Sequence, residues 1–187
     1  MNRSDLIKTL SATLGKTDVK ELAALYAINE PDISPLFELT FYPQREVAFR
    51  AAWTLELIVL NYPECFRPLL KEFLDRYPDQ NNQSCQRHFT RIMMCLTDSK
   101  GSAAGRLFSD ENTESIIGKT FEWLIDPNTP VAVQANCIDV LFNLRGMLPW
   151  IAEELRSQIV FLLHNGSPAL QSRGKAVLKK LERKLLA

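Results

Sequence analysis

One apolar template returns four times along this chain. Val47, Ala51, Leu55 and Ile58 fall at spacings of four, four and three, the stripe a helix turns toward a core. A shift of 38 gives Cys85, Phe89, Met93 and Leu96. A further 48 gives Val133, Cys137, Leu141 and Leu144, and a further 37 gives Leu170, Gly174, Leu178 and Leu181. Pro63 and Pro149 keep the same register, 86 residues apart. One such helix would be ordinary. Four in register, alternating with partner helices, predict a stack in which each helix pair buries its face on the next. Leu55, Met93, Leu141 and Leu178 are then equivalent core positions.

Helix punctuation fills in the rest. Ser4 precedes Leu6, Ile7, Leu10 and Leu14, with Gly15 behind them, and Thr17 opens a second helix that stops before Pro31. A short third helix holds Ile33, Leu36, Phe37 and Leu39. A fourth runs from about 44 to 61, and a fifth from 63 to 77 with a bend at Pro68, which has no N–H to give. Asn82 caps a sixth, from about 83 to 97. Asn112 or Thr113 caps the next, Thr129-Pro130 the eighth, Pro149 opens the ninth, and Ser167-Pro168 the last, to about Leu185. No stretch alternates with period two. The expected fold is all-α, ten helices as about five antiparallel pairs in a right-handed α-α superhelix, within one domain over 1–187. Residues 1–30 form an N-terminal capping pair and 167–187 a C-terminal capping helix. The wider third spacing places an inter-repeat insertion at 98–111.

The segments Glu46-Val-Ala-Phe-Arg-Ala-Ala-Trp-Thr-Leu55, Pro130-Val-Ala-Val-Gln-Ala135 and Ser167-Pro-Ala-Leu-Gln-Ser-Arg173 resemble the second helix of HEAT units. The chain is similar to the HEAT and armadillo repeat superfamily over about 32–186, and within it to short single-domain bacterial HEAT proteins. That resemblance implies a helical solenoid and a binding face, and no activity.

Chemistry-bearing patterns are scarce. Gly101-Ser-Ala-Ala-Gly105-Arg106 lacks the spacing, lysine and strand of a phosphate loop. Two histidines, His88 and His164, and four cysteines at no Cys-x-x-Cys spacing argue against zinc or a disulfide framework. The cysteines are expected buried and reduced, and the N-terminus shows no export signal, so the expected compartment is the cytoplasm. No run is long enough to span a membrane. No catalytic motif, metal site or cofactor site is expected, and a monomer is the expected state. With 22 basic and 22 acidic residues the net charge is zero, which disfavours a dedicated nucleic-acid binder. The last 21 residues nevertheless carry six basic residues against Glu182, leaving a local +5. That is either the solvated outer face of a cap or a patch for an acidic partner or RNA.

The repeat register also selects a candidate binding ladder beside the apolar stripe: Arg50 and Trp53, then His88 and Arg91, then Asn136, Asp139 and Asn143, then Arg173. Equivalent offsets stay on one side of a solenoid, so these residues are expected on a concave, partly exposed face for a protein or peptide. Trp and Arg are the types that anchor interfaces. Trp53 either anchors a partner or packs between repeats. The chain is thus expected to be a non-enzymatic interaction module. The alternative is a DNA-binding repair protein like the HEAT-like alkylpurine glycosylases, with Trp53, Asp139 and Arg50 or Arg91 around the lesion.

Overall fold

The computed structural model describes residues 3–12, 15–29, 32–98 and 110–185. Among them every regular element is helical. The helices are α1 (Arg3–Ser11), α2 (Lys16–Asn29), α3 (Ser34–Glu38), α4 (Arg45–Asn61), α5 (Pro63–Phe66), α6 (Leu70–Arg76), α7 (Gln83–Thr97), α8 (Asp110–Ile125), α9 (Val131–Leu144), α10 (Ile151–Asn165) and α11 (Pro168–Leu185). α5 and α6 are two limbs of one helical rod, so the chain is a helical solenoid of about five helix pairs. It forms two compact units, Met1–Ile92 and Met93–Ala187.

In the first unit α4 is the hub, packed by α1, α2, α3 and α5. Its stripe Val47, Ala51, Leu55 and Ile58 is wholly buried, and the small residues Ala48 and Ala52 let neighbouring helices come close. Beside it lies an aromatic core: Phe73 sits 5.1 Å from Phe89 and 5.4 Å from Phe66, and Phe37 lies 6.2 Å from Phe89, centroid to centroid. In the second unit α9 packs on α8, α10 and α11, and α10 on α11. Val133, Cys137, Leu141 and Leu144 are buried there as the template requires.

Polar side chains tie helices about one repeat apart within each unit. Arg50 Nη1 donates to the Leu10 carbonyl at 2.8 Å, 40 residues back, and Gln80 Nε2 to the Thr40 carbonyl at 3.1 Å, also 40 back. Arg76 pairs with Glu38, 38 back. In the second unit Asn143 Nδ2 donates to Thr97 Oγ1 at 3.1 Å, 46 back, where the repeat spacing is wider. A second set is shorter-ranged. Gln86, Gln134 and Gln171 share one repeat register, and each sends its Nε2 into the preceding turn. Gln86 reaches the Gln80 carbonyl at 3.0 Å, Gln134 those of Leu124 and Asp126 at 3.1 Å, and Gln171 that of Gly166 at 3.1 Å. They satisfy carbonyls that a helix end leaves without an intrahelical partner.

Several local expectations shift. The fifth helix is interrupted rather than bent: Arg67–Leu69 form a 3₁₀ turn around Pro68, because proline cannot continue the i→i−4 ladder. α8 begins at Asp110, which puts Asn112 and Thr113 inside its first turn instead of at its cap. α10 begins at Ile151, two residues after Pro149. Thr129 gives no capping bond to α9, whereas Asn82 Oδ1 does cap α7, accepting from Ser84 N at 3.1 Å. Leu178 is only half-buried and Val177 takes its place: 3.6 residues per turn let the stripe run Leu170, Gly174, Val177, Leu181. Leu96, at the end of α7, is likewise half-buried. Of the cysteines, Cys85 and Cys137 are buried, but Cys95 is exposed and Cys65 intermediate. Leu14, and residues 99–109 of the expected insertion, lie outside the described residues.

Candidate functional site

The ladder residues fall into two groups, one in each unit. In the first, α4 and α7 bring Trp53, His88 and Arg91 together around a residue the repeat register does not select, Glu56. One turn past Trp53, the Glu56 carboxylate is buried within an otherwise apolar run, Leu55 to Leu60. Its Oε2 accepts from His88 Nδ1 at 2.5 Å, and its Oε1 pairs with Arg91 Nε at 2.8 Å. The side chains of His88 and Glu56 are each 8% exposed, Arg91 49%. A buried carboxylate is tolerated when both oxygens are matched in this way. His88 Nε2 is buried and has no hydrogen-bond partner.

Aromatic rings close over this pair. Trp53 stacks on the His88 ring at 6.3 Å with 16° between planes, and Phe49 lies 5.2 Å from His88 and 5.8 Å from Trp53. The half-buried Trp53 packs one side against Phe49 and His88, and part of it lines a cleft of about 390 Å³. Lys16, Glu56, Leu57, Leu60, Arg87 and Arg91 complete most of that lining. Arg50 does not join the cluster. It is half-buried, and its Nη1 serves the carbonyls at the end of α1, where a cation suits the helix dipole. His88, expected partly exposed, is instead buried beneath the rings because its charge partner is buried.

In the second unit Arg173 Nη1 lies 3.1 Å from Asp139 Oδ2, close enough for charge attraction though not aligned as a hydrogen bond. Burial pushes the Asp139 carboxyl above its ordinary value, against the opposing pull of Arg173 and Lys180. Asn136 and Asn143 are half-buried on the same helix, Asn143 bound to Thr97. Among the described residues no group of three or more His, Cys, Asp and Glu could hold a metal ion, and no helix is long and apolar enough to cross a membrane.

Glu56 and the register glutamines are what sequence reasoning missed. Their signals were present: a lone acid in an apolar helix run, and glutamine recurring at 86, 134 and 171 in step with the stripe.

The profile of the HEAT repeat domain matches residues 6–181. The chain belongs to the HEAT repeat family. Among solved structures this HEAT chain is similar to an engineered protein from the Northeast Structural Genomics Consortium, at 16% identity and a TM-score of 0.58, covering 95% of this chain and 80% of that one. A second engineered protein from the same consortium is 15% identical with a TM-score of 0.45 over 98% of each chain. A designed armadillo repeat protein is 12% identical, with a TM-score of 0.41, covering 96% of this chain and 100% of that one. No curated protein matches the chain.

Proposed function

We propose that this HEAT chain is a non-enzymatic protein-interaction module, a single solenoid domain that works as a monomer in the cytoplasm and holds a protein or peptide against its ladder face. One observation carries the reading. Trp53 and Arg91 line the same cleft, both partly exposed, and both are held in place from behind by the buried His88–Glu56 pair. Anchors fixed before a partner arrives lose little side-chain freedom on binding. Among the described residues the cleft lining offers no serine, threonine or cysteine for the His88–Glu56 pair to activate. Four free cysteines suit a reducing compartment.

The test measures affinity and stability separately. Peptides selected on the full chain from a random display library serve as ligands. Trp53→Ala and Arg91→Ala are expected to weaken binding by about 2 kcal/mol or more, roughly thirtyfold. Arg91→Ala leaves the buried Glu56 Oε1 without that partner and should lower stability by about 1–3 kcal/mol, so its affinity is measured where the denaturant midpoint shows the variant folded. Loss of midpoint with unchanged affinity in both variants would mean that these residues only hold the fold.

A further inference from the structure

We infer that the Trp53 cleft takes an acidic–apolar peptide segment, with an Asp or Glu carboxylate against its basic rim and a neighbouring large apolar side chain on Trp53, Leu57 and Leu60. The inference rests on the interaction reading above and adds the chemistry of the partner.

Charge points to the acid. Lys16 and Arg91 line the cleft, and among the described residues its lining includes a single carboxylate, Glu56. That carboxylate is buried and already engaged through both oxygens. Arg91 pairs with it through Nε, and a guanidinium has further donors suited to a second carboxylate. Lys16 therefore meets no free counter-charge in the described lining, and an anionic group is its complement.

Shape and surface point to the rest. Leu60 is 43% exposed, and with Leu57 and the half-buried Trp53 it makes an apolar strip next to the cations. Leu57 also borders a second depression of about 200 Å³, lined by Lys20, Ala23, Asn61 and Tyr62. Two adjoining depressions with lysines along one side fit an extended chain better than a small ion. The unpartnered His88 Nε2 behind the rings is a further mark, since buried polar atoms in native proteins are nearly always paired.

The experiment selects random twelve-residue peptides displayed on phage against the immobilised full chain, then measures Kd for synthetic hits by fluorescence anisotropy. Two variants spare the buried cluster. Lys16→Glu reverses a rim charge at the start of α2, where an acid suits the helix dipole, and Leu60→Ser removes exposed apolar surface. Denaturant midpoints close to wild type confirm that both fold. Enriched peptides should pair Asp or Glu with an adjacent Phe, Trp or Leu. Lys16→Glu should raise Kd about fivefold, the equivalent of about 1 kcal/mol. Leu60→Ser should weaken binding severalfold, and replacing the peptide's acid by Lys should abolish the signal. Enrichment of basic or uncharged peptides, or of acidic ones indifferent to both variants, overturns this inference while the interaction reading stands. If no peptide of any composition enriches, both fall.

Discussion

At the scale of single residues, stability in this protein depends on polar groups placed where the apolar stripe alone would not put them. Gln134 is buried and supplies donors to two carbonyls at the end of α8. Gln134→Ala strands the Leu124 carbonyl, while that of Asp126 keeps the Thr129 N–H, and should cost about 1–3 kcal/mol by urea denaturation. A cost near zero would show that water replaces the amide. Glu56→Ala leaves the imidazole of His88 buried without its hydrogen-bond partner and should cost about 1–3 kcal/mol. Asp139 gives a pH test. Its folded-state carboxyl titrates above the ordinary 3.8, so the folded state favours the protonated form. The associated stability is present in full below 3.8 and is lost as pH rises through the folded value. Asn never ionises, so Asp139→Asn should gain on wild type between pH 3 and pH 7. Denaturant midpoints measured at four pH values check this; a pH-independent difference contradicts it.

At the scale of elements, two glycines in helices should respond in opposite ways. A Cβ on Gly118, on the exposed face of α8, meets nothing within 4 Å, so Gly118→Ala should stabilise by about 1 kcal/mol through helix propensity. A Cβ on Gly174 would sit 2.9 Å from Ile159 Cγ2, where α10 and α11 meet. Ile159 is fully buried and cannot swing away, so Gly174→Ala should destabilise despite the same propensity gain. Leu55→Ala and Leu141→Ala should each cost about 2–5 kcal/mol, and the half-buried Leu178→Ala clearly less. The sequence made the helices legible because spacing alone picks out Val47 to Ile58 and its copies. It blurred Leu178 because positions 177 and 178 both lie within one turn of the same face, and only neighbouring side chains decide between them. The site was half legible. Register brought out Trp53, His88 and Arg91, but Glu56 lies off the register and its role exists only once α4 and α7 meet.

At the scale of the whole molecule, charge is balanced overall yet unevenly spread: +5 in the last 21 residues leaves −5 for the remainder. A protein that neutralises many phosphates needs a larger surplus, and Arg50 and Arg173, two basic members of the ladder, are already engaged with protein groups. A duplex-DNA shift assay at about 50 mM salt should therefore show no band shift at micromolar protein; a shift that fades with added salt would revive the DNA-binding alternative. The side-chain ties described between helices carry a consequence for how the chain is made. Each donor bonds to a group synthesised about forty residues earlier, as Arg50 does to Leu10, Arg76 to Glu38 and Gln80 to Thr40. At about 5–20 residues per second, a ribosome delivers the second partner about two to eight seconds after the first. Within the first unit each of these segments can dock on its predecessor as it emerges, so the order of translation is also an order in which these bonds can close.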